Sequence, residues 1–128
     1  MSYTVLIVED TRELAEIIQL ILRRHEIITT FTEADGQAAI ERFREVKPDL
    51  VLLDLNLPDM RGWHVLDELK RISDEEDDIA MPKVVITTAY GDPANKVMGK
   101  LQEIVTYLVK PFRPSEVEKV VMESLGIE

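Results

Sequence analysis

Residues 50–63 read LVLLDLNLPDMRGW, and the opening of that stretch decides the fold. Leu50 to Leu53 is an unbroken apolar run of strand length that ends in Asp54. Such a run has the composition of a strand covered on both faces, as in a parallel sheet flanked by helices. The pattern repeats in both directions. Upstream, Ala39, Phe43 and Val46 mark a helix ended by Pro48, and Ile27 to Thr32 is a β-branched and aromatic strand. Leu14, Ile17, Ile18, Ile21 and Leu22 form one stripe of an amphipathic helix, preceded by a strand from Tyr3 to Val8. Downstream, Val65, Leu66, Leu69 and Ile72 stripe a third helix, and Pro82 stands at the entrance of a strand from Val84 to Thr87.

Asp92-Pro93 has the form of an N-cap followed by proline at the first helical position, with Val97, Leu101 and Ile104 as that fourth helix's face. Val105 to Val109 is the fifth strand, and Pro114 opens a fifth helix striped by Val117, Val120, Val121 and Leu125. Five β–α units without a linker or internal repeat predict a single α/β domain over residues 1–128, a doubly wound five-stranded parallel sheet.

Composition removes several classes of function. The chain has 128 residues, enough to bury a core without staples. It has no cysteine, so disulfides, thiolate catalysis and thiolate metal sites are excluded. Fifteen Lys and Arg against 25 Asp and Glu leave a formal charge of −10, which repels nucleic-acid phosphates and anionic lipid. No apolar run reaches the roughly 20 residues of a membrane span, and no signal peptide is apparent. A soluble, cytoplasmic protein is expected. The run Ser73 to Asp78 (SDEEDD) reads as a solvated, self-repelling loop or a docking patch for a basic partner. His25 and His64, isolated from one another, read as surface or packing residues.

Four strands run into residues with chemistry: Glu9 and Asp10 after the first, Asp54 after the third, Thr88 after the fourth and Lys110 after the fifth. Open parallel sheets bind ligands beyond the carboxyl ends of their strands, so these five residues are expected to converge. Crowded carboxylates need a cation or a shared proton. An oxygen-only donor set favours Mg²⁺ over Zn²⁺. Asp54 is the candidate nucleophile toward phosphorus, Glu9 and Asp10 the candidate metal holders, and Lys110 and Thr88 the groups that neutralise phosphoryl charge. Each residue also has a plainer reading. Asp10 with Glu13 can cap the first helix, Glu9 and Asp54 can be turn acids, Thr88 an ordinary strand residue, and Lys110 a lysine lying over apolar surface.

The ordered set VLIVED, LVLLDLNLPDMRGW, VVITTAY and YLVKPF resembles the receiver domain of two-component response regulators over essentially the whole chain. The resemblance implies a flavodoxin-like sheet of order 2-1-3-4-5. It implies Asp54 as phosphoacceptor from a histidine kinase or phosphotransfer protein, with Glu9, Asp10, Asp54 and the Asn56 backbone carbonyl around Mg²⁺. It further implies Thr88 and Lys110 at the phosphoryl oxygens, Tyr107 as the aromatic switch partner of Thr88, and Asn56 and Tyr90 at positions that tune phosphoryl lifetime. Pro111 is expected to follow a cis bond. Such a protein is a switch rather than an enzyme with a separate substrate, although it promotes its own phosphotransfer and dephosphorylation. Its output would pass to a protein target through the fourth helix, fifth strand and fifth helix, without direct contact with nucleic acid or membrane. Both a stand-alone regulator and a piece of a longer regulator or hybrid kinase fit.

One feature departs from the family pattern. Glu103 and Ile104 stand where receivers commonly carry Gly-Ala, and this leads us to expect irregularity in the fourth helix and its junction with the fifth strand. An aspartate-nucleophile phosphatase fits less well, because Asn56 cannot serve as the general acid two residues after the nucleophile. An FMN-binding flavodoxin fits poorly with the acidic first turn EDTRE. A pseudo-receiver would be expected to lack some of these residues.

Overall fold

The computed structural model describes residues 2–89 and 104–127. Its elements are β1 (Tyr3–Val8), α1 (Arg12–Leu22), β2 (Ile28–Glu33), α2 (Gly36–Val46), β3 (Leu50–Asp54), α3 (Gly62–Glu75), β4 (Lys83–Ala89), β5 (Ile104–Lys110) and α4 (Pro114–Leu125). All neighbouring strands pair in parallel, in the order β2-β1-β3-β4-β5. This is the doubly wound, flavodoxin-like sheet expected. The expected fourth helix, with Asp92, Pro93, Val97 and Leu101, lies outside the described residues, as do Tyr90 and Glu103, whereas Ile104, read as part of that helix's face, is the first residue of β5. The C-terminal helix α4 is therefore the fifth helix of the sequence reading.

Alternation along each strand builds two cores from one sheet. Leu6, Val8, Val51, Leu53, Val84 and Ile86 face Phe43 of α2 and Leu66, Leu69 and Ile72 of α3. Val5, Ile7, Leu50, Leu52, Val85 and Leu108 face Ile18 and Leu22 of α1 and Val117 and Val121 of α4. Every residue of β3 is buried, which explains why its sequence shows no alternation. Each fully buried aliphatic side chain contributes about 1.5–3 kcal/mol of transfer free energy, so the two layers hold the sheet from both sides.

Local signals set most of the boundaries. Asp35 caps α2 by accepting from the Ala38 amide at 2.8 Å. Lys47 ends that helix in the left-handed region, at φ 47°, and Pro48 prevents its resumption. The Arg113 amide donates to Glu116 Oε1 at 2.9 Å, closing the first turn of α4 after Pro114. His25, just past α1, lies 2.8 Å from Glu118 of α4 and ties the two helices together.

Five expectations need correction. The second strand runs from Ile28 to Glu33, one residue later than read, because the chain after α1 turns through His25 to Ile27 before pairing. The fourth strand continues to Ala89, which places Thr88 inside it, and Lys110 is the last residue of the fifth strand. The acidic run is not simply a repelling loop. Ser73 to Glu75 complete α3, and Arg71 holds Glu75 at 2.6 Å. Glu76 and Asp78 meet Arg44 at 3.3 Å and Lys47 at 2.6 Å. Cations near the end of α2 thus neutralise part of a run that looked unpartnered. Asp10 caps nothing: Thr11 is the N-cap of α1 and makes no side-chain cap bond.

At the entrance of β5, Val84 pairs with Ile104 but Val85 pairs with Thr106, so the register shifts by one residue. The Lys110–Pro111 bond is cis.

Candidate functional site

The site continues one core face past the end of the sheet. Ile7, Leu52 and Leu108 belong to the layer under α1 and α4. Two residues beyond each stand Glu9, Asp54 and Lys110, and alternation brings all three to the same side. Parallel pairing aligns the strand ends, so sequence separations of 45 and 56 residues collapse into contact.

Glu9 is 3% exposed and Asp54 2% exposed, whereas Asp10 is open to solvent. One carboxylate oxygen from each of the three lies within 4.8 Å of the others. Lys110 Nζ sits 2.8 Å from Glu9 Oε1 and 3.1 Å from Asp54 Oδ2. The lysine therefore bridges two buried acids rather than lying idle over apolar surface. The backbone holds both carboxylates from their other oxygens. The Thr11 amide donates to Glu9 Oε2 at 3.0 Å, and the Asn56 amide to Asp54 Oδ1 at 3.0 Å.

Burial pushes the Glu9 carboxyl above its ordinary value, and the adjacent Asp54 charge adds to that, against the pull of Lys110 and the Thr11 amide. Burial alone would lower Lys110, but its contacts with Glu9 and Asp54 outweigh this and raise it. The ammonium is thus held charged where two carboxylates need it.

Thr88 is buried, and its hydroxyl donates to the Ala89 carbonyl at 3.2 Å. Tyr107 packs against the cluster that contains Ile86, its register partner across β4–β5. Thr88 lies two residues beyond Ile86, so Thr88 and Tyr107 share the α2–α3 face of the sheet, opposite to the face of Lys110. Burial raises the Tyr107 phenol. Asn56 is exposed and forms an isolated bridge with Arg61.

Two of these contacts could not be read from side-chain identity. The Thr11 and Asn56 amides are backbone groups, and nothing in a residue's name announces where its N–H will point. A polar cleft of ≈ 440 Å³ opens on one side of Glu9, lined in part by Arg12, Glu16 and Glu33. Leu14, Pro111 and Phe112 line an apolar groove of ≈ 410 Å³ with Lys110.

The donor set fits a hard divalent cation. It is all oxygen, partly buried and compact. Three carboxyl groups face a single ammonium there, a donor set suited to a hard cation.

Residues 5–122 match the family model described as the response regulator receiver domain. The chain belongs to the response regulator receiver family. Receiver domains of this kind serve two-component signalling. The DNA-binding response regulator MtrA of Mycolicibacterium paratuberculosis is 38% identical over 116 residues, covering 91% of this receiver domain and 48% of the relative. A signal receiver domain assigned to a Luxo repressor protein of Vibrio parahaemolyticus superposes with a TM-score of 0.82 at 31% identity, over 98% of this chain and 92% of that one. The receiver domain of AraT, a response regulator of Geobacillus stearothermophilus, gives a TM-score of 0.76 at 25% identity, covering 97% and 93%. The receiver domain spans about half the length of the curated mycobacterial relatives it matches. Among the described residues, no helix is long and apolar enough to cross a membrane.

Proposed function

We propose that this receiver domain accepts a phosphoryl group on Asp54, with Mg²⁺ held by Glu9, Asp10, Asp54 and the backbone carbonyl of Asn56. The observation that carries the reading is the convergence of three carboxylates within 4.8 Å, two of them bridged by Lys110 Nζ. The donor is a phosphohistidine on a histidine kinase or phosphotransfer protein. An Asp54 carboxylate oxygen attacks phosphorus and the P–N bond breaks. Its electron pair returns to the imidazole, which takes up a proton and leaves neutral. The product is an aspartyl acyl phosphate.

Held by Glu9, Asp10, Asp54 and the Asn56 carbonyl, Mg²⁺ would supply positive charge to the equatorial phosphoryl oxygens. Lys110 is already charged beside Asp54 and can turn to the same oxygens. The Asn56 amide fixes the orientation of the carboxylate. Thr88 would follow the new phosphoryl group, and Tyr107, on the same sheet face, would repack toward it as the two-state element of the switch. Asn56 and Tyr90 would tune the lifetime of the acyl phosphate. The reading makes the chain a switch that promotes its own phosphotransfer and hydrolysis.

Output passes to a protein partner through the surface that includes β5 and α4. MtrA is named as DNA-binding, but the match covers 48% of it. For the residues present here, a formal charge of −10 disfavours direct contact with nucleic acid or anionic membrane, and a cytoplasmic setting suits a kinase-fed switch.

Incubation with Mg²⁺ and a small phosphodonor, read by intact mass, tests the acceptor. The wild type should gain one phosphoryl group, and neither Asp54→Asn nor a chelated sample should gain any. Full labelling of Asp54→Asn would reassign the acceptor. Asp10→Asn should weaken Mg²⁺ binding, and an unchanged affinity would remove Asp10 from the metal site.

A further inference from the structure

The loop between β3 and α3 carries both Asp54 and the Asn56 amide that orients it, so its own fixation matters. It is closed at its base by two backbone bonds: Leu55 N–H to the Thr87 carbonyl at 3.1 Å and Gly62 N–H to the Leu55 carbonyl at 2.8 Å. Its tip is held differently. Asp59 reaches out of the loop to the start of α2, where Oδ1 accepts from the Gly36 amide at 2.7 Å and Oδ2 from the Gln37 amide at 2.9 Å. These are two of the amides that a helix start leaves without an intrahelical partner. Asp35 takes a third, Ala38. The two aspartates thus cap one helix jointly, but only Asp59 comes from the acceptor loop. The contact is close. A Cβ on Gly36 would stand 2.4 Å from Met60 Cγ, so the loop lies directly against the helix start.

We propose that Asp59 is a positioning residue for phosphoryl acceptance: it anchors the acceptor loop to the N-terminus of α2 and so holds the Asn56 backbone against Asp54. The inference rests on Asp54 and Asn56 having the roles proposed above. Its carboxylate meets both amides with separate oxygens, a bidentate clamp that a side chain with one acceptor cannot reproduce. The partial positive charge of the helix start favours an anion there. In agreement, the Gly36 amide bond holds the Asp59 carboxyl below its ordinary value. Without the clamp, the loop keeps its base, the Asn56–Arg61 bridge and the packing of Met60, but it loses its two hydrogen bonds to α2, and the Asn56 amide and carbonyl are held less firmly. Outer groups that orient metal ligands typically affect affinity by about 10- to 100-fold.

The test uses the whole chain and compares Asp59→Ala with Asp35→Ala. Both variants remove a cap from α2, so both should melt at a lower temperature than the wild type. Only Asp59→Ala should bind Mg²⁺ about tenfold more weakly, and only it should speed amide exchange at residues 55–57 in metal-free protein. Asp59→Asn, which keeps one acceptor, should recover part of the affinity and folds even if the alanine variant does not. Mg²⁺ affinity within twofold of wild type in the Asp59 variants overturns the inference, as does an equal loss in Asp35→Ala. In either case a wild type that binds Mg²⁺ and labels on Asp54 leaves the proposed function standing. A wild type that does neither removes that function and this inference with it.

Discussion

Lys110 and Glu9 show how the site is held together before any ligand arrives. Lys110 Nζ lies between two buried acids, with its side chain 25% exposed. Removing one partner of a buried pair leaves uncompensated charge, and with solvent reaching the lysine the cost falls to about 2 kcal/mol. Lys110→Ala should therefore lower the melting temperature of metal-free protein, and Mg²⁺ should raise it by more than in the wild type, because the ion replaces the lost cation. An equal Mg²⁺ response in both proteins would count against the bridge. Glu9 works in the opposite sense. Its pKa is raised, chiefly by burial, so its contribution to stability is fully present below the ordinary value of 4.5 and lost as pH rises through the raised value. Metal-free Glu9→Gln should thus melt above the wild type at neutral pH, and the gap should close as pH falls toward 4.5. A gap that persists at low pH would show that Glu9 is not the strained group. Glu9, Asp10, Asp54 and Lys110 were all legible as candidates from their strand-end positions. Their distances were not, because a carboxylate's neighbours come from other strands.

At the scale of elements, the junction of β3 and α3 has no room to spare. A Cβ on Gly62 would lie 2.5 Å from the Asp54 carbonyl and 2.7 Å from Leu55 Cα. Both are backbone atoms, so relief requires moving the strand end that carries the acceptor. Gly62→Ala should cost about 2 kcal/mol, the range of an overpacked interior, read as a lower urea midpoint with unchanged slope. An unchanged midpoint would mean that the loop has slack. Helix α3 itself was only partly legible. Its stripe from Val65 to Ile72 was plain, but Ser73 to Glu75 extend it because Arg71 stands one turn before Glu75 and neutralises it. The acidic run beyond it is held by Arg44 and Lys47 of the α2 end, about 30 residues upstream, a pairing that no local pattern encodes.

For the whole molecule, the formal charge of −10 and the local carboxylate cluster act on different length scales. General repulsion is screened by any salt over a Debye length of about 8–10 Å, whereas site binding depends on a particular ion. Mg²⁺ at about 100 times its dissociation constant should add about 2.7 kcal/mol of stability, while NaCl of equal ionic strength should add much less. Equal effects of the two salts would assign the gain to screening alone. The sequence by itself determined the alternation of strands and helices among the described residues, the five-stranded parallel architecture and the set of strand-end residues with chemistry. It could do so because periodicity and strand ends are local properties of the chain. Only the tertiary structure decided that Lys110 bridges Glu9 and Asp54, that backbone amides of Thr11 and Asn56 aim at those carboxylates, and that Asp59 clamps the acceptor loop to α2. The physical reason is the same in each case. These are contacts between segments remote in sequence, fixed to tenths of an ångström by strand register and close packing, and side-chain identity carries no record of that distance.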